Sequence, residues 1–383
     1  MRIALDARPL IGRRTGVGVW LEGLMRELAA TTDWRFLLCL PRRVADLGVT
    51  GLGERVEVAA PPVAMPGTVW LQTVAGPALT GRADVYVATL AVGPRRMTVP
   101  DVLVVHDLTP RTRSDAHTLA NRFCFNAYVE ESLARAHAIV CVSEATREAV
   151  ARVQPQAGRR ALVIGEGVDP FFAPAGPGDT GDDVRARFAG GRRFLLQLGT
   201  LEPRKGVATL LAAHASLLRS RPDPPDLVLA GGRGWGGRWL DAALSRHPDT
   251  ARVHLPGYVS REDARDLMRH AEVVVMASEE EGFGLPLAEA LACGGACVAT
   301  DASALVEVSG GAARHAPRGD PAALATRIAE ALDPGAQRSL RAAALERARA
   351  LSWERPAAAW RDLLVRTAGG RDARMPVDAP ARH

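Results

Sequence analysis

Lysine is nearly absent from this chain of 383 residues, in which Lys205 is the only lysine among 48 basic residues. All the other basic residues are arginines, a bias typical of GC-rich genomes and not of a particular chemistry. No dense run of basic residues with interleaved aromatic residues occurs, which argues against nucleic acid as the main partner. The net charge of +5 leaves a weak attraction to an anionic membrane surface open.

Cysteines and long apolar runs are also scarce. The five cysteines do not form the even-numbered set of a disulfide framework, and Cys39, Cys141 and Cys297 lie in apolar, strand-like runs. Cys293 and Cys297 have no second Cys/His pair to complete a zinc site. No run reaches the roughly 20 apolar residues of a membrane span, and the N-terminus lacks the apolar core of a signal peptide. We therefore expect a cytoplasmic protein with reduced, buried thiols.

The sequence instead contains a repeated alternation of short apolar runs and amphipathic segments. This alternation is typical of buried parallel strands joined by helices, and it occurs twice, so we predict an α/β protein with two Rossmann-like, doubly wound domains. A Pro-, Gly- and Asp-rich segment without periodicity, residues 171–183, indicates a linker between them. Because ligands bind beyond the carboxyl ends of such strands, both domains can present loops to one central cleft. The predicted strands cover residues 2–6, 36–40, 56–59, 85–88, 102–107, 138–143, 161–165, 194–199, 226–231, 252–257, 273–278 and 296–301.

The segment E-G-F-G-L-P-L-A-E, residues 281–289, follows one of these strands and places two carboxylates around two glycines and a proline. The glycines allow the backbone to approach a ligand closely. The proline suits the first turn of a helix, whose free N–H groups can bind an anion such as a diphosphate. Glu281 and Glu289 can accept hydrogen bonds from sugar hydroxyls. A solvated strand–helix connection without a ligand would show the same local pattern.

Three further segments place candidate residues near strand ends. Arg204 and Lys205, in L-Q-L-G-T-L-E-P-R-K-G, can neutralise a diphosphate without a metal, although a surface turn fits the same pattern. His106 ends the run V-L-V-V-H-D and can bind a sugar or transfer a proton, yet a lone histidine is more often structural. Gly16 and Gly18 match the dinucleotide-binding fingerprint poorly, so we interpret them as part of a flexible loop at a helix start, facing the cleft.

Taken together, these segments resemble one family, the retaining glycosyltransferases of the GT-B fold, family 4. The glutamate pair resembles the E-x7-E signature of that family. Three departures, at Glu166-Gly167, Ala296-Cys297 and Val306-Glu307, replace the frequent N-G, P-V and P-E of the family and leave the cations and the glutamate pair intact. The likeness runs in order through R-T-G-V-G, V-V-H-D-L-T-P, V-S-E-A-T-R-E-A-V, I-G-E-G-V-D-P-F-F-A-P, L-G-T-L-E-P-R-K-G, L-P-G-Y-V-S, S-A-L-V-E-V and S-W-E-R-P-A-A-A-W.

The resemblance implies a role for each candidate residue. Arg204 and Lys205 would hold the donor diphosphate, Glu281 would bind sugar hydroxyls and Glu289 would bind the nucleotide ribose. His106 would contact the donor sugar. The remaining residues expected around the donor are Tyr258 and Val259 at the base, the backbone of Gly282, Phe283, Gly284 and Leu285 near the sugar, and Gly16 and Gly18 between donor and acceptor.

The resemblance also implies domain boundaries. The final helix would cross back to the first domain, and the residues after it would form a disordered tail. The expected segments are an N-terminal acceptor-side domain at 1–172, a linker at 173–190, a C-terminal nucleotide-sugar domain at 191–350, the crossing helix at 351–368 and the tail at 369–383.

The activity implied by the resemblance is metal-independent, retaining transfer of a hexose from a nucleotide-diphosphate sugar to a hydroxyl of a polysaccharide, glycolipid or secondary metabolite. GDP-mannose is the first donor expected, and UDP- or TDP-sugars stay open. Two alternatives also stay open: a nucleotide-sugar epimerase of the same shape, which needs no acceptor, and a non-catalytic nucleotide-sugar-binding subunit. Residues 60–71 mix apolar and turn residues, so they either meet a lipid or an aglycone, at the inner face of the membrane, or pack on their own domain.

Overall fold

The computed structural model describes residues 1–108, 128–234 and 238–370. The chain divides into two compact units. Unit 1 consists of Met1–Gly167 together with Trp353–His383, and unit 2 consists of Val168–Ser352. Each unit contains one parallel β-sheet with helices packed on it, as the alternating sequence pattern predicts.

Among its described residues, unit 1 has seven parallel strands. They are β1 (Arg2–Asp6), β2 (Arg35–Cys39), β3 (Val56–Ala59), β4 (Val85–Ala88), β5 (Asp101–Val105), β6 (Ala138–Cys141) and β7 (Leu162–Val163). Their order in the sheet is β3-β2-β1-β4-β5-β6-β7, with Ile3 in register with Phe36 on one side and Val85 on the other. Every residue of β4 and β5 is buried, which explains why these strands read as continuous apolar runs.

The part of unit 2 that the structure describes has six parallel strands. They are β8 (Phe194–Leu198), β9 (Asp226–Ala230), β10 (Val253–Gly257), β11 (Val273–Met276), β12 (Cys297–Thr300) and β13 (Ala313–Ala316). Their order is β10-β9-β8-β11-β12-β13, so β8 and β11 are direct neighbours at the centre of the sheet. The order reverses at these two strands, and such a point is where doubly wound sheets hold their ligands.

The helices occupy the connections between strands. They are α1 (Gly16–Thr31), α2 (Gly67–Trp70), α3 (residues 128–135, as far as described), α4 (Glu144–Val153), α5 (Pro155–Arg160), α6 (Asp182–Ala189), α7 (Val207–Ser220), α8 (Arg238–Leu244), α9 (Arg261–His270), α10 (Leu285–Ala292), α11 (Ser303–Ser309), α12 (Pro321–Ala331), α13 (Pro334–Arg349) and α14 (Glu354–Ala368). Short polar side chains cap several of them. Ser143 accepts from the N–H of Thr146 at the start of α4, a bond that stabilises a helix by about 1 kcal/mol.

The last helix belongs to unit 1, in agreement with the resemblance, which implies a helix that returns to the first domain. Trp360 of α14 is fully buried, with its ring centroid 5.7 Å from that of Trp20 of α1. Trp353, just before α14, packs against Gly23 and Gly167. A Cβ atom added to Gly23 would lie 2.6 Å from the Trp353 ring, and one added to Gly167 would lie 2.3 Å from the same ring. Glycine at both positions therefore makes room for this tryptophan.

Two parts of the chain differ from the sequence prediction. Residues 173–190 were predicted to be a linker, but Asp182–Ala189 form α6, where Arg187 pairs with Asp263 of α9 at 2.6 Å. The sequence prediction also missed β13, because A-R-H-A has no apolar run and lies at the edge of the sheet. Residues 371–383 of the predicted tail lie outside the described part of the chain.

Unit 2 contains a buried pair of histidines. His214 of α7 and His247 stack with ring centroids 5.1 Å apart, and Nδ1 of His214 lies 3.0 Å from Nε2 of His247. Burial disfavours the charged imidazole and lowers the pKa of His214 to about 4, and burial also lowers the pKa of His247. The folded chain therefore keeps this pair neutral at a pH where the unfolded chain protonates it.

We predict that this pair makes unit 2 acid-sensitive. Stability from His214 is fully present above the unfolded pKa of about 6.5 and is lost as the pH falls towards the folded pKa of about 4, a change of roughly 3 kcal/mol. His214→Gln removes this titration. Urea unfolding of both proteins between pH 7 and pH 4 should therefore show a shallower acid decline for the variant. Parallel declines would contradict the prediction.

Candidate active site

The two segments predicted to bind the donor diphosphate and sugar leave the same edge of the sheet of unit 2. They follow β8 and β11, which are adjacent and parallel. A hydrogen bond of 2.9 Å from the N–H of Glu279 to the carbonyl of Arg204 joins them. Gly206, with φ of +64°, is required here, because an added Cβ would lie 1.9 Å from the carbonyl oxygen of Ala277.

The only lysine of the chain meets the first glutamate of the E-x7-E segment in this contact. Nζ of Lys205 lies 2.6 Å from Oε1 of Glu281, and the Ser278 hydroxyl donates to the same oxygen at 2.7 Å. The Arg204 guanidinium lies 3.8 Å from Oε2 of Glu281, and its Nε donates to Glu202 at 2.8 Å. Both members of the central pair are largely buried, with 13% and 7% of their side chains exposed.

The charge of Glu281 is set by these neighbours. Burial on its own would raise the pKa of this carboxyl group, because it disfavours the charged form. The charges of Lys205 and Arg204, together with hydrogen bonds from Lys205 and Ser278, outweigh burial and lower the pKa below its usual value. Glu281 is therefore a charged hydrogen-bond acceptor at neutral pH.

Helix α10 begins directly after this loop. Gly284 precedes it with φ of +96°, and no side chain in the described part of the chain caps the helix start. Pro286 lies in the first turn, as predicted, while Phe283 and Leu285 are buried and Gly282 is half-buried. The leading N–H groups of a helix have no partner within the helix, and together with the helix dipole they attract anions.

The remaining donor-site candidates lie farther out. Glu289 is buried within α10, one turn after its start. Tyr258 and Val259 follow β10, the edge strand, which is separated from β8 by β9. Tyr258 is 52% exposed, so part of this residue lies at the surface. The structure thus brings Arg204, Lys205 and Glu281 into direct contact and leaves Tyr258 at the periphery of the same sheet.

In unit 1, His106 follows β5 and is held on several sides. Its Nδ1 lies 3.0 Å from Oε1 of Glu166, and its ring packs edge-on against Trp20 with centroids 4.6 Å apart. The Thr146 hydroxyl donates to its carbonyl at 3.3 Å. Asp107 follows it directly, and Thr109 and Pro110 of the H-D-L-T-P segment lie outside the described residues.

The two glycines at the start of α1 differ from each other. A Cβ added to Gly18 would lie 2.6 Å from the carbonyl oxygen of Pro9, so packing explains this glycine. A Cβ added to Gly16 would meet nothing within 4 Å. Gly16 is exposed at the helix start and is the one of the two that borders open space.

Sequence reasoning did not select three residues that complete these contacts. Ser278 ends the run V-V-V-M-A-S, and its position directly before the glutamate-rich loop was the available signal. Glu202 stands two residues before Arg204, the spacing at which they pair. Glu166 was noted only as a departure from the family pattern, and its partner His106 is 60 residues away in the chain.

The arrangement in unit 2 combines two cations, a charged acceptor and a helix start within one loop cluster. The cations can bind phosphate oxygens, since Lys and Arg form short, strong bonds with them. Glu281 can accept hydrogen bonds from hydroxyl groups. The cluster therefore suits a ligand that carries phosphates next to a polyhydroxylated group.

Comparison with known families agrees with this chemistry. Residues 15–172 match the family described as Glycosyltransferase Family 4, and residues 182–350 match Glycosyl transferases group 1. The two ranges together span most of the chain, which therefore belongs to glycosyltransferase family 4. The chain is a glycosyltransferase, and its two Rossmann-like units are those of the GT-B fold.

Three individual proteins that resemble this chain share 19% to 29% sequence identity with it. The chain is 29% identical over 255 residues to the O-antigen chain mannosyltransferase B of Escherichia coli, a match that covers 66% of this chain and 67% of that protein. Sucrose-phosphate synthase from Thermosynechococcus elongatus superposes with a TM-score of 0.78 at 21% identity, covering 97% of this chain and all of the other. HepE from Anabaena, solved with UDP and glucose, gives a TM-score of 0.71 at 19% identity and covers 97% of this chain and 100% of HepE.

We predict strong coupling between Lys205 and Glu281. Removal of one partner leaves the other charge buried, so Lys205→Met and Glu281→Gln should each lower the free energy of unfolding by about 3 kcal/mol. The double variant should lose much less than the sum. Urea unfolding of the four proteins measures this coupling, with Arg349→Met as the exposed control, expected below about 0.5 kcal/mol. Additive losses would show that the two side chains do not interact.

Proposed function

We propose that this glycosyltransferase transfers a hexose, with retention at the anomeric carbon, from a nucleotide-diphosphate sugar to a hydroxyl group of a glycan, a glycolipid or a secondary metabolite. The observation that supports this most is the contact among Arg204, Lys205 and Glu281 beside the uncapped start of α10. It offers cations for the diphosphate and a charged acceptor for sugar hydroxyls. The family membership of the chain supports the same substrate class.

In the proposed reaction the bond between the anomeric carbon and the diphosphate oxygen breaks, and the diphosphate takes the electron pair. Arg204 and Lys205 stabilise the charge that develops there, as preorganised cations do in other group transfers. The acceptor oxygen bonds to the anomeric carbon on the face that the diphosphate leaves, and the hydroxyl proton passes to a diphosphate oxygen. Glu281 orients the sugar through its hydroxyls, and the reaction requires no metal.

We propose mannose as the sugar and GDP-mannose as the first donor to test. The basis is the E. coli relative named as a mannosyltransferase, at 29% identity. UDP- and TDP-sugars remain the competing donors, and HepE, with the same fold, was solved with UDP. The expected placement of the base beside Tyr258 and Val259 distinguishes these nucleotides, because guanine and the pyrimidines present different hydrogen-bonding edges.

A nucleotide panel tests the donor site. Thermal unfolding in EDTA with GDP, UDP, TDP or ADP at about a hundred times the dissociation constant should add roughly 2.7 kcal/mol for the preferred nucleotide. For domains of this size the melting temperature then rises by several degrees. Lys205→Met is the matched variant and should lose most of this shift. No shift with any nucleotide would contradict the proposed site.

Turnover then separates the proposal from its alternatives. Incubation of the preferred nucleotide sugar with and without sugar acceptors should give a glycoside of unchanged anomeric configuration only when an acceptor is present. Conversion of the sugar without an acceptor would indicate an epimerase. Binding without conversion, across acceptors that cover all three proposed classes, would indicate a non-catalytic binding subunit.

We also propose that one edge of unit 1 touches an anionic membrane surface. Val58, Val63 and Val69 are 46%, 73% and 48% exposed, and they fall within twelve residues of sequence. The N–H of Met65 donates to the carbonyl of Pro41 at 2.9 Å, which places this segment beside the exposed Arg42 and Arg43. We call these three valines and two arginines the valine edge. Apolar side chains next to arginines fit a bilayer with anionic lipids. Among the described residues, no helix is both long and apolar enough to cross a membrane.

Vesicle sedimentation tests the valine edge. Wild-type protein should bind phosphatidylcholine vesicles better when phosphatidylglycerol is included, and salt should weaken this binding. Val63→Asp with Val69→Asp should reduce binding at least about tenfold, because each buried valine contributes roughly 1.5 kcal/mol. Val365→Asp, at a valine 53% exposed outside this edge, is the control. Equal binding by the two variants would contradict the proposal, and self-association of the wild type through this edge would identify a second copy as its partner.

A further inference from the structure

The chemistry of the two groups determines which of them donates in the hydrogen bond between His106 and Glu166. Only 13% of the His106 side chain and 6% of the Glu166 side chain are exposed, and Oε1 of Glu166 lies 3.0 Å from Nδ1 of His106. Their strands, β5 and β7, are separated by β6, so the glutamate reaches across one strand. Such a buried carboxylate needs a donor close by.

A carboxylate at position 166 constrains the imidazole in a way that an amide does not. A charged carboxylate only accepts hydrogen bonds, so Nδ1 of His106 must donate to it and must carry the ring proton. An asparagine or glutamine side chain can donate as well as accept, and either tautomer then satisfies it. The replacement of the frequent N-G by Glu166-Gly167 in this chain therefore selects one tautomer of His106.

The other ring nitrogen, Nε2, is buried and has no hydrogen-bond partner among the described residues. The edge-on packing of Trp20, at 4.6 Å between centroids, fixes the plane of the ring. A buried acceptor without a donor is unfavourable, so a group that donates to Nε2 is stabilised there. The His106 side chain keeps 13% of its surface exposed, so a ligand in unit 1 can approach the ring, but its hydroxyl must displace the atoms that cover Nε2 before it can donate to this nitrogen.

We propose that Glu166 is a positioning residue for the transfer reaction: it holds the proton of His106 on Nδ1, so that Nε2 accepts a hydrogen bond from a sugar hydroxyl. This inference rests on the proposed function, since the sugar is a substrate of the proposed transfer. Glu166 acts through His106 and touches no substrate itself. Its carboxylate decides whether the histidine accepts from or donates to the hydroxyl.

Nitrogen NMR of the histidine rings tests the tautomer without any need for activity. In ligand-free protein at a pH where the ring is neutral, His106 should carry its proton on Nδ1, with His106→Gln used to assign its signals. Glu166→Gln should give a mixture of tautomers, whereas Glu166→Asp, which keeps the carboxylate, should restore the single one. Glu346→Gln, at an exposed glutamate, is the matched control and should change nothing. A proton on Nε2 in the wild type would overturn the proposal.

Kinetics test the consequence. Glu166→Gln should lower kcat/KM at least about tenfold, because a histidine in the wrong tautomer no longer accepts from the hydroxyl. Glu166→Asp should recover part of the loss. Addition of the nucleotide sugar without acceptor should shift the Nε2 signal if the donor supplies the hydroxyl, and addition of acceptor with nucleotide diphosphate should shift it if the acceptor does. If neither addition shifts the Nε2 signal, the proposed role of Nε2 is wrong.

The outcomes separate this inference from the proposed function. Loss of thermal stability in Glu166→Gln with unchanged tautomer and unchanged kinetics would show that Glu166 is only structural, and the inference would fail alone. Absence of transfer with every nucleotide sugar, with the tautomer fixed as expected, would instead remove the proposed function and leave the pairing of His106 with Glu166 established.

Discussion

A buried ion pair between Lys205 and Glu281 is the constraint on which the rest of unit 2 depends. Such a pair gains little net stability, because both groups lose their hydration, and it survives only where hydrogen bonds satisfy the remaining atoms. Ser278 and Arg204 supply these contacts. The loops must also approach closely, and Gly206 allows this because no side chain fits against the carbonyl of Ala277.

The loss of hydration by Lys205 and Glu281 has an explanation if the ion pair binds a ligand. In an apolar core the same positions would hold hydrophobic residues at no loss of stability. Here glutamates hold the cations in place, beside a helix start at which no described side chain forms a cap. A diphosphate would find partners already oriented, so little reorganisation would accompany its binding. The same glutamate that neutralises the lysine would then face the sugar.

Unit 1 follows the same principle with different groups. Its polar residues near the end of β5 are also paired inside a packed environment, where Trp20 of α1 packs against the histidine and Trp360 of α14 packs against Trp20. Trp353 and Trp360 join the final helix to this unit, and glycines at positions 23 and 167 give the room that Trp353 needs. Rigid aromatic packing thus fixes a histidine whose hydrogen bonds determine its chemistry.

Much of the fold and of the candidate site could be predicted from the sequence, because local pattern determines local structure. The alternation of apolar runs and amphipathic segments indicated two parallel sheets, and twelve of the thirteen strands in the described residues match the predicted runs, two of them starting one residue earlier. The glycines and proline of residues 281–289 predicted a strand, a loop and a helix start. Strand β13 and helix α6 were not predicted, since a polar edge strand and a helix without an apolar stripe give no periodic signal.

What the sequence determined by itself was therefore the kind of fold and the residue types able to bind a sugar nucleotide. The tertiary structure decided which of these residues meet. Lys205 and Glu281 are 76 positions apart and touch because β8 and β11 are neighbours, and His106 meets Glu166 across 60 positions. Strand order arises from the packing of the whole sheet and not from any local segment, so these partnerships become visible only once the chain is folded.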